Sequence, residues 1–307
     1  MIVSASYRTD IPAFYPDWFA NRLREGFCRV TNPYNRSQQS RVSLTKGDVD
    51  GFVFWTKNCA PFMSNLEAVS ALEIPFVVQY TINGYPRQLE SRVVDARLSV
   101  QTFRSIAARY GNRTIVWRYD TIILSSLTDK DFHLWNFRNL AAALEGATDE
   151  VTVSFVQLYQ KTLRNFREAA RRESFVFSEP SDEEKRGLLL EFVDIAWQYG
   201  MQLTVCSQPE LIVEGAQPAH CIDAHRLEAL GGKPIKAAVK GNRPGCECYL
   251  SRDIGNYDTC PHGCVYCYAV QNRELALDRF RKHDPTDEYL FEPDGPADPQ
   301  LELFGSE

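Results

Sequence analysis

Residues 51–58 read Gly51-Phe-Val-Phe-Trp55-Thr-Lys-Asn58. Four large apolar side chains stand in succession, and three polar ones follow without transition. An unbroken apolar run closed this abruptly has the pattern of a parallel strand buried on both faces. The pattern returns along the chain. Pro75–Ile82 runs into Asn83-Gly84, Thr114-Ile-Val-Trp-Arg-Tyr-Asp120 ends in a charged pair, and Val151–Gln157 and Gln202–Cys206 end in polar or thiol groups. Ile2 opens a short strand ahead of a polar loop, Phe27–Val30 another ahead of an Asn32-Pro-Tyr-Asn35 turn, and a last candidate lies near Glu247–Leu250.

Helices are expected between these strands. One spans about residues 16–25 and is closed by Gly26; one spans 92–110 and stops at Gly111. Thr128 and Asp131 read as a capping pair for a helix through about Leu144. Ser181 with Glu184 reads as a capping box for a helix ending near Tyr199. Residues 161–180 are basic and partly helical, the composition of a solvated face. Alternation of this kind implies an α/β fold with a parallel sheet, and a full or partial parallel β/α (TIM-like) barrel over residues 1–282 is the expectation. Chemistry in such folds sits where strands end. The polar residues there are Thr56, Lys57, Asn58, Gln79, Asn83, Arg118, Asp120, Gln157, Cys206 and Ser207.

Composition narrows the class. The 307 residues are 44% hydrophobic and 24% charged, ordinary for a globular protein, and no apolar run approaches a membrane span. The opening MIVSASYRTD lacks a basic region followed by an apolar core, so a cytoplasmic protein is expected. The net charge of −6 comes from residues 283–307, which hold eight acidic groups and no Lys or Arg; they read as an acidic flexible tail. The remaining body is near neutral, which neither demands nor excludes a nucleic-acid partner.

The cysteines are distributed unevenly. Of nine, seven fall in the last third, and three of those form Cys260-Pro-His-Gly-Cys264-Val-Tyr-Cys267, spaced C-x-x-x-C-x-x-C. Soft thiolates at such spacing are a metal signature, and crowded thiols in a cytosolic chain read as ligands before they read as disulfides. A zinc site wants four ligands, which two pairs, Cys246/Cys248 and Cys264/Cys267, would supply. A ferredoxin-type cubane also wants four; three thiols leave one iron open. Cys206, Cys221, Cys246 and Cys248 remain as candidates for a second Fe–S cluster, with His220 beside them. The rival is that Cys206 and Cys221 are small buried residues, like Cys28 and Cys59.

The three-thiol motif, with Tyr266 before its last cysteine, resembles that of the radical S-adenosylmethionine (SAM) enzymes. Ser6–Tyr15, Asn32–Asn35, Phe54–Asn58 and Ser251–Gly255 further resemble a family of uncharacterised bacterial proteins, itself similar to spore photoproduct lyase-like radical SAM proteins. The resemblance implies a [4Fe–4S] cluster on Cys260, Cys264 and Cys267, and S-adenosylmethionine bound among Tyr266, Lys57, Asn58, Arg118 and Asp120. Arg118 or Lys57 would meet the cofactor's carboxylate and Asp120 its ribose, while Tyr7, Arg8 and Asp10 would face substrate. A one-electron donor such as flavodoxin or ferredoxin follows from the same chemistry. Radical SAM proteins carry their motif early; here about 255 residues precede it, so the barrel is expected to be circularly permuted. No Gly-Gly-Glu motif of the kind that binds the cofactor's methionine is present. Finally, Gln300-Leu-Glu-Leu-Phe304 is similar to the peptide by which bacterial repair proteins dock on the sliding clamp. The alternative to an enzyme is a non-catalytic zinc or Fe–S module associated with nucleic acid.

Overall fold

A computed structural model describes residues 1–33 and 35–291. In chain order its first part holds β1 (Ile2–Ala5), α1 (Ile11–Phe14), α2 (Pro16–Glu25), β2 (Phe27–Asn32), β3 (Asn35–Ser43), β4 (Gly51–Thr56), α3 (Met63–Ala71), β5 (Phe76–Thr81) and α4 (Ala96–Tyr110). Then come β6 (Ile115–Ile122), α5 (Lys130–Leu144), β7 (Glu150–Phe155), α6 (Gln160–Glu173), α7 (Asp182–Gln198) and β8 (Gln202–Val205). The chain ends through β9 (Gln217–Pro218), α8 (Ala224–Gly231), β10 (Ser251–Asp253) and α9 (Arg273–Lys282).

Eight strands form one sheet in the order β10-β1-β4-β5-β6-β7-β8-β9, and every neighbouring pair is parallel. Spatial order therefore equals chain order once β10 is moved to the front. Among the described residues β9 and β10 are edges, with no pairing between them. β2 and β3 make a separate antiparallel pair.

The apolar runs bury both faces, as their lack of alternation requires. Phe52, Phe54, Val78, Tyr80, Trp117 and Tyr119 pack towards the helices in the main core. The opposite face carries Ile2, Val53, Val77 and Val116 under Ile222, Leu227 and the thiols of Cys206, Cys221 and Cys248. Further along the strands this second face turns polar, with Ser4, Gln79, Arg118, Thr152 and Ser154 all buried.

Several expectations shift. The strand expected at 247–250 forms at β10 instead, because Tyr249 N donates to Ile222 O (3.0 Å) and Leu250 N to Ala238 O (2.8 Å) before the chain reaches β1. Asp253 then fixes the seam: its carboxylate accepts from Ser4 Oγ (2.8 Å), Ser6 Oγ (2.7 Å), Tyr7 N and Gly255 N (3.0 Å each). Asp129, not Thr128, caps α5 by accepting from Phe132 N (2.8 Å), while Thr128 donates to Ile123 O (2.7 Å). α4 starts at Ala96 behind its cap Asp95, four residues later than expected. α6 is not merely a solvated face, since Phe166 and Ala169 join Tyr85, Leu89 and Ile123 in a third apolar cluster. The chain also stays docked past residue 282: Leu290 is buried, Trp18 Nε1 donates to Asp287 O (2.9 Å), and Arg22 Nη2 donates to Thr286 O (3.0 Å). Residues 292–307, with the rest of the expected tail, lie outside the described residues.

Replacing Asp253 by Ala strands two hydroxyls and two backbone amides at the β10–β1 seam. The expected cost is about 3 kcal/mol in urea unfolding. A loss under about 1 kcal/mol would show that the seam does not depend on this carboxylate.

Candidate functional site

The loop after β10 carries Cys260, Cys264 and Cys267, each keeping part of its surface open. It is held at fixed points from three directions. Val265 N donates to Leu89 O (3.1 Å) and Arg92 N to His262 O (3.1 Å), which ties it to the segment after β5. Tyr15 Oη donates to Thr259 O (2.5 Å). His262, buried, places Nε2 at 2.7 Å from Asp10 Oδ2, and the same oxygen accepts from Lys57 N at 2.7 Å. Asp10 meanwhile caps α1 through Ala13 N (2.9 Å). One carboxylate thus joins the ends of β1 and β4 to the middle of the cysteine loop. Burial pushes the Cys264 thiol well above the ordinary range; Lys57 opposes this, while Glu90, Cys267 and Cys260 add repulsion.

Beside these thiols lies a buried polar network. Lys57 Nζ donates to Glu90 Oε1 at 2.8 Å, with the two side chains 14% and 3% exposed. Tyr266 Oη donates to the same oxygen, and Asn83 Nδ2 lies 3.0 Å from it. Asn83 Nδ2 also reaches Tyr266 Oη (3.1 Å) and Asp120 O (3.2 Å), and Asn83 Oδ1 accepts from Asp120 N (2.9 Å). Burial alone would raise the pKa of Glu90, but the Lys57 charge and the hydrogen bonds from Lys57, Tyr266 and Asn83 hold it below its usual value. Lys57 moves the other way: burial opposes its charge, and Glu90 and Cys264 outweigh burial.

Deeper on the same face, Arg118 pairs with Asp120 (Nη2–Oδ2 2.6 Å), donates to Gln79 Oε1 (3.2 Å) and lies 5.1 Å from the Trp55 ring centroid. Ser154 Oγ donates to Asp120 Oδ1. Arg118 Nη1 also donates to Cys221 Sγ at 2.9 Å. Here the second set of thiols is assembled. Cys221 Sγ lies 3.5 Å from Cys206 Sγ, and Cys248 and Cys246 pack in the same cluster. Ile222 N donates to Cys248 Sγ (3.4 Å) and Arg243 Nη2 to Cys206 Sγ (3.5 Å).

The expected residues therefore divide. Lys57 and Tyr266 stand beside the motif, with Asp120 joined to them through Asn83, and Arg118 faces the second thiol group. Asn58 stands apart: its Oδ1 accepts from Ala60 N (3.2 Å), capping the turn before α3. Cys246 and Cys248 side with Cys206 and Cys221, not with Cys264 and Cys267, so the alternative zinc pairing is not assembled. His220 points elsewhere, to Glu247 O (2.8 Å). The Arg8 guanidinium lies over the Tyr7 and Tyr257 rings, and Tyr7 O accepts from Tyr268 Oη (2.5 Å). Glu90 went unforeseen because it lies in a loop rather than at a strand end; its one sequence signal is its nearness to Asn83. Among the described residues no group of three or more His, Cys, Asp or Glu side chains is arranged as a metal site.

Residues 2–269 match the family model of a domain of unknown function, DUF1848. No curated protein and no solved structure matches the chain.

The Lys57–Glu90 pair sets a sharp expectation. Lys57→Met leaves a buried carboxylate uncompensated and should cost about 3–5 kcal/mol. The double variant Lys57→Met/Glu90→Gln should recover at least about 1 kcal/mol of that in chemical unfolding. Purely additive losses would sink the pairing. Because the folded pKa of Glu90 is depressed, its contribution is present above the unfolded value of about 4.3 and lost as pH falls through the folded one. Acid unfolding of Glu90→Gln should lack that component.

Proposed function

The chain belongs to the DUF1848 family, and on that premise we propose that it is a radical SAM enzyme. Its [4Fe–4S] cluster would be held by Cys260, Cys264 and Cys267. The observation that carries this reading is one loop: three thiols, anchored at His262, Val265 and Thr259, leave the sheet at the strand ends beside a polar pocket. The donor set fits, since three thiols from one loop complete three irons and leave the fourth for a cofactor. When bound, such a cluster supplies the electron that splits S-adenosylmethionine into methionine and a 5′-deoxyadenosyl radical, which takes a hydrogen atom from substrate.

The chain's own residues would bind and shield. Of the two cations, Lys57 is the one beside the motif and would receive the cofactor's carboxylate; Arg118 is already taken up by Asp120 and Gln79. Asp120, reached through Asn83, would meet the ribose, and the Tyr266 ring, edge-on to Tyr85 at 6.4 Å, would help keep water out. The sheet order supports a partial β/α barrel, circularly permuted so that β10 and the motif loop form its first unit.

The substrate is proposed to be anionic, in keeping with a nucleic acid. Arg273, beside the motif glycine Gly263, has its pKa lowered by burial and by the like charges of Arg92 and Arg172. A one-electron donor such as flavodoxin or ferredoxin would serve the cluster in the cytoplasm, and Gln300–Phe304 would dock the protein on the sliding clamp. The alternative remains a non-catalytic zinc or Fe–S module.

Protein purified and reconstituted without oxygen should hold iron with sulfide at the motif, and with dithionite and S-adenosylmethionine it should release 5′-deoxyadenosine. Cys264→Ala should drop that product to background. Absence of sulfide-bearing iron in the intact protein would overturn the reading. Deleting residues 300–304 should abolish clamp binding in a pull-down; equal retention with and without them removes that partner.

A further inference from the structure

We infer that Cys206, Cys221, Cys246 and Cys248 form a zinc site with one ion and four thiolates, rather than the seat of a second Fe–S cluster. The four come from separate stretches of chain: the ends of β8 and β9 and the irregular segment before β10. They lie against one another on the sheet's second face and form no disulfide. Their spacing favours one ion. With Zn–S bonds of about 2.3 Å, two thiolates on a tetrahedral ion stand about 3.8 Å apart. Cys206 and Cys221 are 3.5 Å apart, and Cys248 and Cys246 share their packed cluster. On a cubane each thiolate binds a different iron, outside the four-iron core, and sulfurs cannot then touch. Here the sulfurs of Cys206 and Cys221 already touch, so Cys246 and Cys248 must turn inward to share the ion.

The surroundings suit a thiolate shell. Four thiols that bind Zn²⁺ release up to four protons and leave a net charge of −2. Two guanidinium groups already donate to sulfur, Arg118 to Cys221 and Arg243 to Cys206. Ile222 N adds a backbone donor on Cys248. Such outer donors orient and stabilise metal-bound ligands. The chain also crowds against the site: a Cβ on Gly241 would stand 2.1 Å from Cys246 O, so glycine lets the two turns close. Bound there, the ion would pin residues 241–250, which run directly into β10 and the motif loop.

The proposal does not rest on the radical SAM reading, and the test separates them. The full chain is expressed with zinc and iron both supplied, and metal is counted by mass spectrometry in wild type, in a Cys260→Ala/Cys264→Ala/Cys267→Ala variant and in Cys246→Ala/Cys248→Ala. Expected is about one zinc per chain in the first two and at least a tenfold loss in the third. Cobalt supplied to the motif variant should give the visible absorption of a tetrahedral thiolate site. If Cys246→Ala/Cys248→Ala fails to fold, zinc withdrawn from wild type by a chelator should expose four thiols to titration for each ion released. Iron with sulfide retained by the motif variant, or no metal in it at all, overturns the proposal.

Discussion

A guanidinium buried under a sheet has to be neutralised where it stands, and Arg118 imposes that demand on the whole second face of this protein. Its side chain is 5% exposed. Taking such a charge out of water costs several kcal/mol unless partners and hydrogen bonds replace the solvent. The parallel register supplies them: Asp120 stands two residues on along the same strand, Gln79 comes from β5 next door, and Ser154 sits opposite Asp120 on β7 to hold it in turn. Trp55, paired with Gln79 on the other side, offers its ring to the cation. The face is therefore apolar at one end of the strands and polar at the other, and only the polar end is fit to bind charge.

Everything chemical in the chain is delivered to that end by contacts between residues far apart in sequence. β10 pairs with β1 across nearly the whole chain, and the cysteine loop that follows reaches back to Asp10 and across to Leu89 and Arg92. Asp253 and Asp10 are the two carboxylates through which this return is made, each buried and each serving several donors. Closing loops of that length costs chain entropy before any contact repays it. The motif is thus not a self-contained appendage. Its position is a consequence of the completed sheet.

The parts legible in the sequence were those where one physical demand dominates a contiguous stretch. β4, β5 and β6 declare themselves because burial on both faces gives each a consecutive apolar run before its first polar residue, and α7 because Ser181 and Glu184 satisfy its first amides reciprocally. β3 was not legible: Asn35–Ser43 is polar and extended only because β2 pairs with it. β10 is three residues long, too short to show a period, and its place is decided by where Tyr249 and Leu250 find acceptors. The polar strand ends pointed to Lys57, Arg118 and Asp120 as a group. They did not reveal Glu90, which reaches Lys57 only through the fold of the loop after β5.

That geometry also changes what Arg118 means. Read along its strand, it belongs with Asp120 at the strand end; in space it stands between two sets of thiols. On one side Asp120 connects through Asn83 to Tyr266, inside the cysteine motif, and on the other Arg118 donates directly to Cys221. A guanidinium cannot give up its proton, so its charge is constant and only its partners can change. If the sulfur of Cys221 becomes a thiolate, Arg118 is held more firmly on that side, and Asp120 keeps less of its field to itself. The charge state of the four-thiol group then bears on the Asp120 carboxylate. The link is carried by the Arg118–Cys221 hydrogen bond and the Arg118–Asp120 ion pair, with no moving element between them. Two thiol groups on one sheet are in this way joined electrostatically through Arg118.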